Sequence, residues 1–316
     1  VQTYGGIEIG GTKLQLVLGD AAGKIHRRVR LKVDRSKGAV GIRHLIEQAL
    51  PELLSNDTPK AFGVGFGGPV EWQRGTICRS HQIEGWSEFD LAGWLGRATH
   101  VPIFVDNDAN VAALGEARHG AGRGFGTVFY VTLGSGVGGG LVVNGKIYHG
   151  APPGEAEIGH LRLDHNGNTV ESKCSGWAVD RKIRESASLE PNGILAGSIG
   201  SSKGGEAMHM AFALQKGDKE AARILHETGK DLAFALSHVV HLFHPEVIIL
   251  GGGLSGMGEP LRAEVERALR RFIMEAFARG LKVVLAALGE DAVPVGALAL
   301  ASERIEAQSV SEKFMS

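Results

Sequence analysis

Cysteine is almost missing from this chain: Cys78 and Cys174 are the only two among 316 residues. Two are too few for a disulfide framework, and a reducing compartment is the simpler expectation. An excess of one charge is missing as well. The 34 Lys and Arg against 35 Asp and Glu leave a formal net charge of -1, so electrostatics gives no reason to expect DNA, RNA or an acidic membrane as partner. The densest basic run, Arg27, Arg28, Arg30 and Lys32, alternates with apolar residues from Arg28 onward, as the solvated face of a strand does. Long apolar stretches are also lacking, for none approaches the ~20 residues that span a bilayer. No charged-then-apolar leader opens the chain. A cytoplasmic, globular protein is expected, and 43% hydrophobic residues over this length allow two domains with substantial cores.

Glycine, by contrast, is abundant. The 47 glycines are roughly twice the ordinary share, and they gather at the ends of apolar runs rather than in a low-complexity tract. Such placement suits backbone that must approach a ligand closely.

The pattern along the chain is that of alternating strands and helices. Tyr4 to Ile9, Leu14 to Leu18 and Ile25 to Val33 read as a three-strand meander, Val40 to Leu54 as a helix, and Ala61 to Phe66 as a buried strand. Gly93 to Thr99 is a further helix and Val101 to Val105 a further strand. The second half repeats the order in pattern though not in residues. Thr127 to Thr132, Gly140 to Val143 and Lys146 to His149 are strands, and Lys219 to Phe243 is a long amphipathic helix. Val247 to Leu250 is an apolar strand, followed by a helix from Glu259 to Arg279, a strand from Leu281 to Ala286 and a last helix from Gly296 to Ala307. The stretch from His165 to Gly205, rich in Ser, Gly, Asn and Lys, predicts loops and short helices. An α/β fold in two halves is expected, with a cleft between them as a favoured place for a small ligand.

The segment VDNDANVAALGE, residues 105–116, follows an apolar run and precedes a helical pattern, which sets Asp106, Asn107, Asp108 and Asn110 at a strand's carboxyl end. Ligands of open α/β sheets bind at such ends. A carboxylate beside an amide there can take a proton from a bound hydroxyl while the amide fixes its neighbours. The same residue types also cap helices, and taken alone these residues leave both roles open.

Three glycine clusters accompany that segment. GIEIGGTK, residues 6–13, places Gly10, Gly11, Thr12 and Lys13 between the first two strands. It is not a Walker loop, since it lacks that spacing and leads into a strand. A turn of this kind can still offer N–H groups, a hydroxyl and an ammonium to phosphate oxygens, and Glu8 beside it can hold Mg²⁺ through water. VTLGSGVGGGLVVNGK, residues 131–146, supplies Thr132, Gly134, Ser135 and Gly136 at the matching point of the second half. In VIILGGG, residues 247–253, Gly252 and Gly253 would let the flat ring of an adenosine lie against the backbone. Plain tight turns are the competing reading for each cluster.

GIEIGGTK, GVGFGGPVE, VDNDANVAALGE, VTLGSGVGGG, EIGH and VIILGGG in that order resemble the ROK family of sugar kinases and related repressors, over about Tyr4 to Ala301. The resemblance implies a two-domain actin-like ATPase fold, related to ribonuclease H, with a central cleft. Its domains would span residues 1–118, completed by 294–316, and 119–293. It implies ATP and Mg²⁺ as cofactors and a small-molecule sugar as substrate, most simply glucose phosphorylated on its 6-hydroxyl. An N-acetylhexosamine or fructose kinase is the alternative within the class, and a sugar-binding sensor without turnover is the alternative outside it. By the same resemblance Asp108 is the general base. Asn107, Gly68, Pro69, Glu157 and His160 contact the sugar, and the three glycine clusters hold the nucleotide. A homo-oligomer, dimer or tetramer, is implied as well.

Three departures from the family pattern matter. Many members follow EIGH with Cys-x-Cys-Gly-x-x-Gly-Cys-x-Glu, whose cysteines bind zinc, whereas this chain has only Cys174 there. A structural zinc site needs four ligands, so none is expected. If Cys174 matches the last of those cysteines, the family's sugar-binding Glu has become Gly176, with Glu171 as a nearby substitute. Glu8 stands where DIGGTK has aspartate. No helix-turn-helix segment precedes the first strand, so a DNA-binding regulator is not expected.

Overall fold

A computed structural model describes residues 2–55, 57–78, 83–154, 156–199 and 204–315. The first elements are β1 (Tyr4–Ile9), β2 (Lys13–Gly19), β3 (Ile25–Lys32), α1 (Gly38–Leu54) and β4 (Phe62–Phe66). Three two-residue strands, β5 (Val70–Glu71), β6 (Thr76–Ile77) and β7 (Phe89–Asp90), precede α2 (Leu91–Thr99), β8 (Ile103–Asn107) and α3 (Asp108–His119). Then come β9 (Thr127–Leu133), β10 (Val137–Val143), β11 (Lys146–Ile147), α4 (Val170–Cys174), α5 (Gly176–Leu189), α6 (Ile194–Ser198) and α7 (Met210–Gln215). The chain finishes with α8 (Lys219–Phe243), β12 (Val247–Gly251), α9 (Glu259–Leu269), α10 (Glu275–Ala278), β13 (Lys282–Leu285) and α11 (Ala292–Met315).

These elements form two compact units, residues 1–124 with 140–156 and 290–316, and residues 125–139 with 157–289. The division moves 140–156 into the first unit, away from the 119–293 segment expected from sequence. The reason is packing on α3: a Cβ at Gly140 would lie 2.6 Å from the Ala113 side chain, and Arg118 donates from Nε and Nη2 to the Gly145 carbonyl at 3.0 and 2.8 Å.

The first unit is built on the sheet β3-β2-β1-β4-β8, in which β1, β4 and β8 run parallel and β2 runs antiparallel to both β1 and β3. One face buries Ile42, Ile46 and Leu50 of α1 and Leu95 of α2 against Ile7, Leu16 and Val64. The other face is covered by α3 and α11, where Val111, Leu114, Ala297 and Leu300 form one cluster. Helices on both faces explain why β4 reads as a continuous apolar run instead of an alternation.

In the second unit β12 lies parallel between β9 and β13, and Val137–Gly139 of β10 continue the sheet beyond β9. Helix α8 starts where Asp218 accepts from the Ala221 amide, and it stops at His244, left-handed and followed by Pro245. Its buried Ile224, Leu225, Thr228, Leu232, Leu236 and Val239 keep helical spacing.

Two helices differ from their sequence reading. The expected Glu259 to Arg279 helix ends at Leu269, because Arg271 and Phe272 fold back onto the Ala268 and Leu269 carbonyls. Phe272 then packs edge-on against Phe234, and the Met274 amide donates to His241 Nε2. The last helix begins at Ala292 rather than Gly296, with Pro294 inside its first turn, where the missing N–H costs nothing. The low-periodicity region holds the 14-residue α5, while residues 200–203 of that region lie outside the described residues.

Candidate active site

In the first unit the carboxyl ends of three parallel strands stand in one row, Ile9 opposite Phe66 and Phe66 opposite Asn107. Each strand is followed at once by a motif singled out in the sequence: Gly10–Lys13 after β1, Gly67–Pro69 after β4, and Asp108 after β8. The loops touch. The Gly67 amide donates to the Ile9 carbonyl at 2.9 Å, and a Cβ at Gly67 would sit 3.4 Å from Asp108 Oδ2. The turns after β1 and β4 thus lie against each other beside the Asp108 carboxylate.

Of the four polar residues, one is the helix cap. Asn107 is the N-cap of α3, its Oδ1 accepting from the Ala109 and Asn110 amides at 2.9 and 3.3 Å. Its Nδ2 donates to the Gly68 carbonyl at 3.2 Å. Asn107 thus ties the β4 turn to α3, whereas Asp108 is the first helical residue and is not the cap. Asn110 is wholly buried and donates to Asp106 Oδ1 at 3.1 Å.

The first glycine turn is closed by the Gly10 amide donating to the Lys13 carbonyl at 3.0 Å. Arg35 Nε donates to the Gly11 carbonyl at 2.7 Å, and the Thr12 carbonyl accepts from Val33. Gly10 therefore shapes the turn through its own amide. Glu8 points into a polar pocket: Gln15 Nε2 donates to Oε2 at 2.6 Å, and Lys13 Nζ lies 3.3 Å from Oε1. Burial raises its carboxyl above the ordinary range, and Lys13 and Gln15 oppose that rise.

The second unit assembles its own motifs around residues 132–137. Gly251 stands opposite Thr132 in the sheet, and a Cβ at Gly252, whose φ is +78°, would meet the Leu133 amide nitrogen at 2.5 Å. The Gly134 amide donates to Gly136 across the turn that has Ser135 at its tip, and the Gly176 amide at the start of α5 donates to the Gly134 carbonyl. A Cβ at Gly253 would meet nothing within 4 Å, so backbone there is open to a flat group.

Val137 holds two further pieces. Its amide donates to Glu171 Oε2 at 3.0 Å, and its carbonyl lies where a Cβ at Gly159 would come within 2.1 Å. The glycine of EIGH is thus required by close approach, and Glu157 and His160, both exposed, flank it with Nε2 4.0 Å from Oε2. Glu171, only a candidate in the sequence, proves to be the carboxylate set against the second glycine turn; Gly176 is a packing residue.

Cys174 is buried in the core instead of facing that turn, its Sγ 3.6 Å from the Thr228 carbonyl of α8. Burial pushes its thiol up to about 12. At pH 8 about one molecule in 10⁴ carries the reactive thiolate. Iodoacetamide labelling of Cys174 in the folded protein is expected to be slower by about 10²-fold or more than after urea unfolding, as read by peptide mass spectrometry. Equal rates in the two states would show that the thiol is accessible. Among the described residues no three His, Cys, Asp or Glu are grouped as a metal site.

Sequence reasoning missed the pairing of His149 Nε2 with Asp106 Oδ2 at 2.6 Å, and the stacking of His149 on Trp72. Only the polar cluster around Asp106 signalled it; nothing in the local sequence marks His149.

Comparison with known proteins adds to this geometry. A sequence model described as the ROK family matches residues 4–304. A glucokinase of Thermotoga maritima is 30% identical over 308 residues, covering 95% of this chain and 97% of that protein. A glucokinase of Halalkalibacterium halodurans is 31% identical over 307 residues, covering 93% of each. Among solved structures, a ROK family glucokinase from Streptomyces griseus in complex with glucose and AMPPNP superposes with a TM-score of 0.84 at 30% identity, over 95% of this chain and 99% of that one.

Proposed function

The chain belongs to the ROK family and has the two-domain actin-like ATPase fold, and from that premise we propose that it transfers the γ-phosphoryl group of ATP to a hexose hydroxyl, with Asp108 as general base. The observation that carries the proposal is the row of strand ends, which sets the Asp108 carboxylate beside Gly67 and the turn after β1. A hydroxyl held there can pass its proton to Asp108 as its oxygen attacks phosphorus in line. An ordinary carboxylate suffices, because the proton leaves the hydroxyl only as the new bond forms.

Glucose and its 6-hydroxyl are the preferred substrate, supported by the relatives named glucokinase and by the neighbour holding glucose and AMPPNP. In this reading Asn107, Gly68 and Pro69 contact the sugar. Glu157 and His160 bind sugar hydroxyls in the same reading, and Glu171 joins them as the family's second glutamate, since Val137 anchors both carboxylate-bearing segments. Gly11, Thr12 and Lys13, with Thr132, Gly134, Ser135 and Gly136, would face the phosphates, and Gly252 and Gly253 the adenosine.

Glu8 fits a magnesium ion held through water. Mg²⁺ keeps several waters and takes one or two carboxylates together with substrate phosphates, so a protein cage of three acidic groups is not required. Glu8 has its oxygens directed by Gln15 and Lys13 and still offers lone pairs to a hydrated cation. When bound, the ion would neutralise phosphate charge. The family resemblance extends the reading to a cytoplasmic homo-oligomer. No helix among the described residues is long and apolar enough to cross a membrane.

The test is ADP release with ATP and Mg²⁺ across glucose, mannose, fructose, N-acetylglucosamine and N-acetylmannosamine. Sugar-dependent turnover is expected, highest with glucose. Binding of a sugar by calorimetry without ADP release from any of them would replace the kinase by a sensor.

A further inference from the structure

Asp106 is nearly inaccessible and accepts three hydrogen bonds from three directions. Its Oδ1 takes the Asn107 amide at 2.9 Å and Asn110 Nδ2 at 3.1 Å. Its Oδ2 lies 2.6 Å from Nε2 of His149, whose side chain is 7% exposed. A carboxylate can only accept, so the tautomer that satisfies this pair carries its hydrogen on Nε2. This is the short, charge-assisted kind of contact, between two side chains largely withdrawn from solvent.

The imidazole is itself held. Trp72 stacks on it with ring centres 4.2 Å apart and planes 17° from parallel, and the Arg304 guanidinium lies 4.5 Å over the indole. Three segments distant in sequence are thus layered, His149 of the loop after β11 against Trp72 of the loop after β5, and Trp72 against Arg304 of α11. All belong to the first unit.

We infer that His149 is a positioning residue for the Asp108 base, acting through Asp106. Asp108 lies between Asn107, whose amide Asp106 holds, and Asn110, whose side chain Asp106 also holds. The strand-to-helix junction carrying the base is thus pinned on both sides by one carboxylate, and His149 fixes that carboxylate's second oxygen. The arrangement parallels the buried acid that orients a catalytic imidazole, with the roles exchanged: the imidazole orients the acid. A displacement of about 1 Å at a reacting group can cost about 10²-fold in rate. The phosphoryl-transfer consequence rests on the proposed kinase activity; the anchoring of residues 107–110 does not.

Two variants separate positioning from simple packing. His149→Phe keeps a flat ring against Trp72 and removes the donor; His149→Gln removes the ring and keeps an N–H that can reach Asp106. Phe is expected to lower kcat by about 10- to 100-fold with sugar KM changed less than about threefold, and Gln to recover most of the loss. Amide hydrogen exchange, followed by NMR at Asn107, Ala109 and Asn110, should quicken in Phe and return toward wild type in Gln. A Phe variant with wild-type kcat and unchanged exchange overturns the inference. So does a loss of kcat that Gln does not relieve while exchange at 107–110 stays at the wild-type rate, for that would be packing alone. If the wild-type protein turns over no sugar, the kinase reading fails by itself. Exchange then decides the anchor: quickening in Phe supports it, and no change overturns it.

Discussion

Asp108→Asn is expected to lower sugar-dependent kcat by about 10²- to 10⁴-fold, the range that a positioned general base contributes. Asparagine has the shape of aspartate but cannot accept the proton that the attacking hydroxyl must lose. Binding should survive, because Asn107 and the β4 turn keep their bonds to each other and to the first turn of α3. KM for sugar and ATP should therefore change far less than kcat. Stability should change little too. Asp108 is the acidic residue in the first turn of α3, and losing its charge there costs about 0.3–1 kcal/mol against the helix dipole. Steady-state ADP release, beside a thermal melt, reads both quantities. A variant retaining more than a third of the wild-type kcat would sink the base assignment even if the enzyme proves to be a hexose kinase.

The second large effect concerns stability. Gly296→Ala is expected to destabilise the first unit by about 2 kcal/mol or more, although an alanine in an exposed helix would stabilise it by about 1 kcal/mol. Helices α3 and α11 touch backbone to backbone at this point. A Cβ at Gly296 would lie 1.8 Å from the Val111 carbonyl oxygen, and one at Gly115 would lie 2.5 Å from the Ala292 carbonyl oxygen. Neither obstacle is a side chain that can turn away, so the helices must separate and loosen the contacts of Val111, Leu114, Ala297 and Leu300. At about 2–4 °C per kcal/mol, the melting temperature should drop by about 4–8 °C or more. Gly197→Ala in α6, where an added Cβ meets nothing within 4 Å, is the control and should leave the melt unchanged within about 2 °C. A Gly296→Ala protein as stable as wild type would mean that α3 and α11 are not in backbone contact.

Much of this was legible beforehand for a physical reason. Apart from the alternating, charged β3, the long strands of the two five-stranded sheets are apolar runs bounded by glycine or polar turns, and hydrophobic periodicity reports burial directly. Helix α8 showed itself by spacing, with Asp218 before it and Pro245 after it. Helix α5 did not, because its buried positions include Asp180 and Ser186 among Ala178, Val179 and Ile183. Asp180 is inside to accept the Gly205 and Ala207 amides, a contact that no local pattern announces. The break at Leu269 was invisible likewise, since the turn that ends α9 is held by Phe234 and His241 from another helix.

At the candidate site the division is finer. Residue types and order determined which motifs follow which strands, and with them the family, because the chemistry of a turn or a carboxylate is local. Only tertiary structure could decide what each polar atom does. It made Asn107 the cap and Asp108 the first helical residue, engaged the Gly10 amide in its own turn, set Glu171 on Val137, and buried Cys174 against α8. It also brought His149, 43 residues away along the chain, to within 2.6 Å of Asp106. Hydrogen bonds act over about 3 Å and depend on direction, so their partners are set by how the sheet and helices pack, whereas the pattern that builds the sheet is written residue by residue.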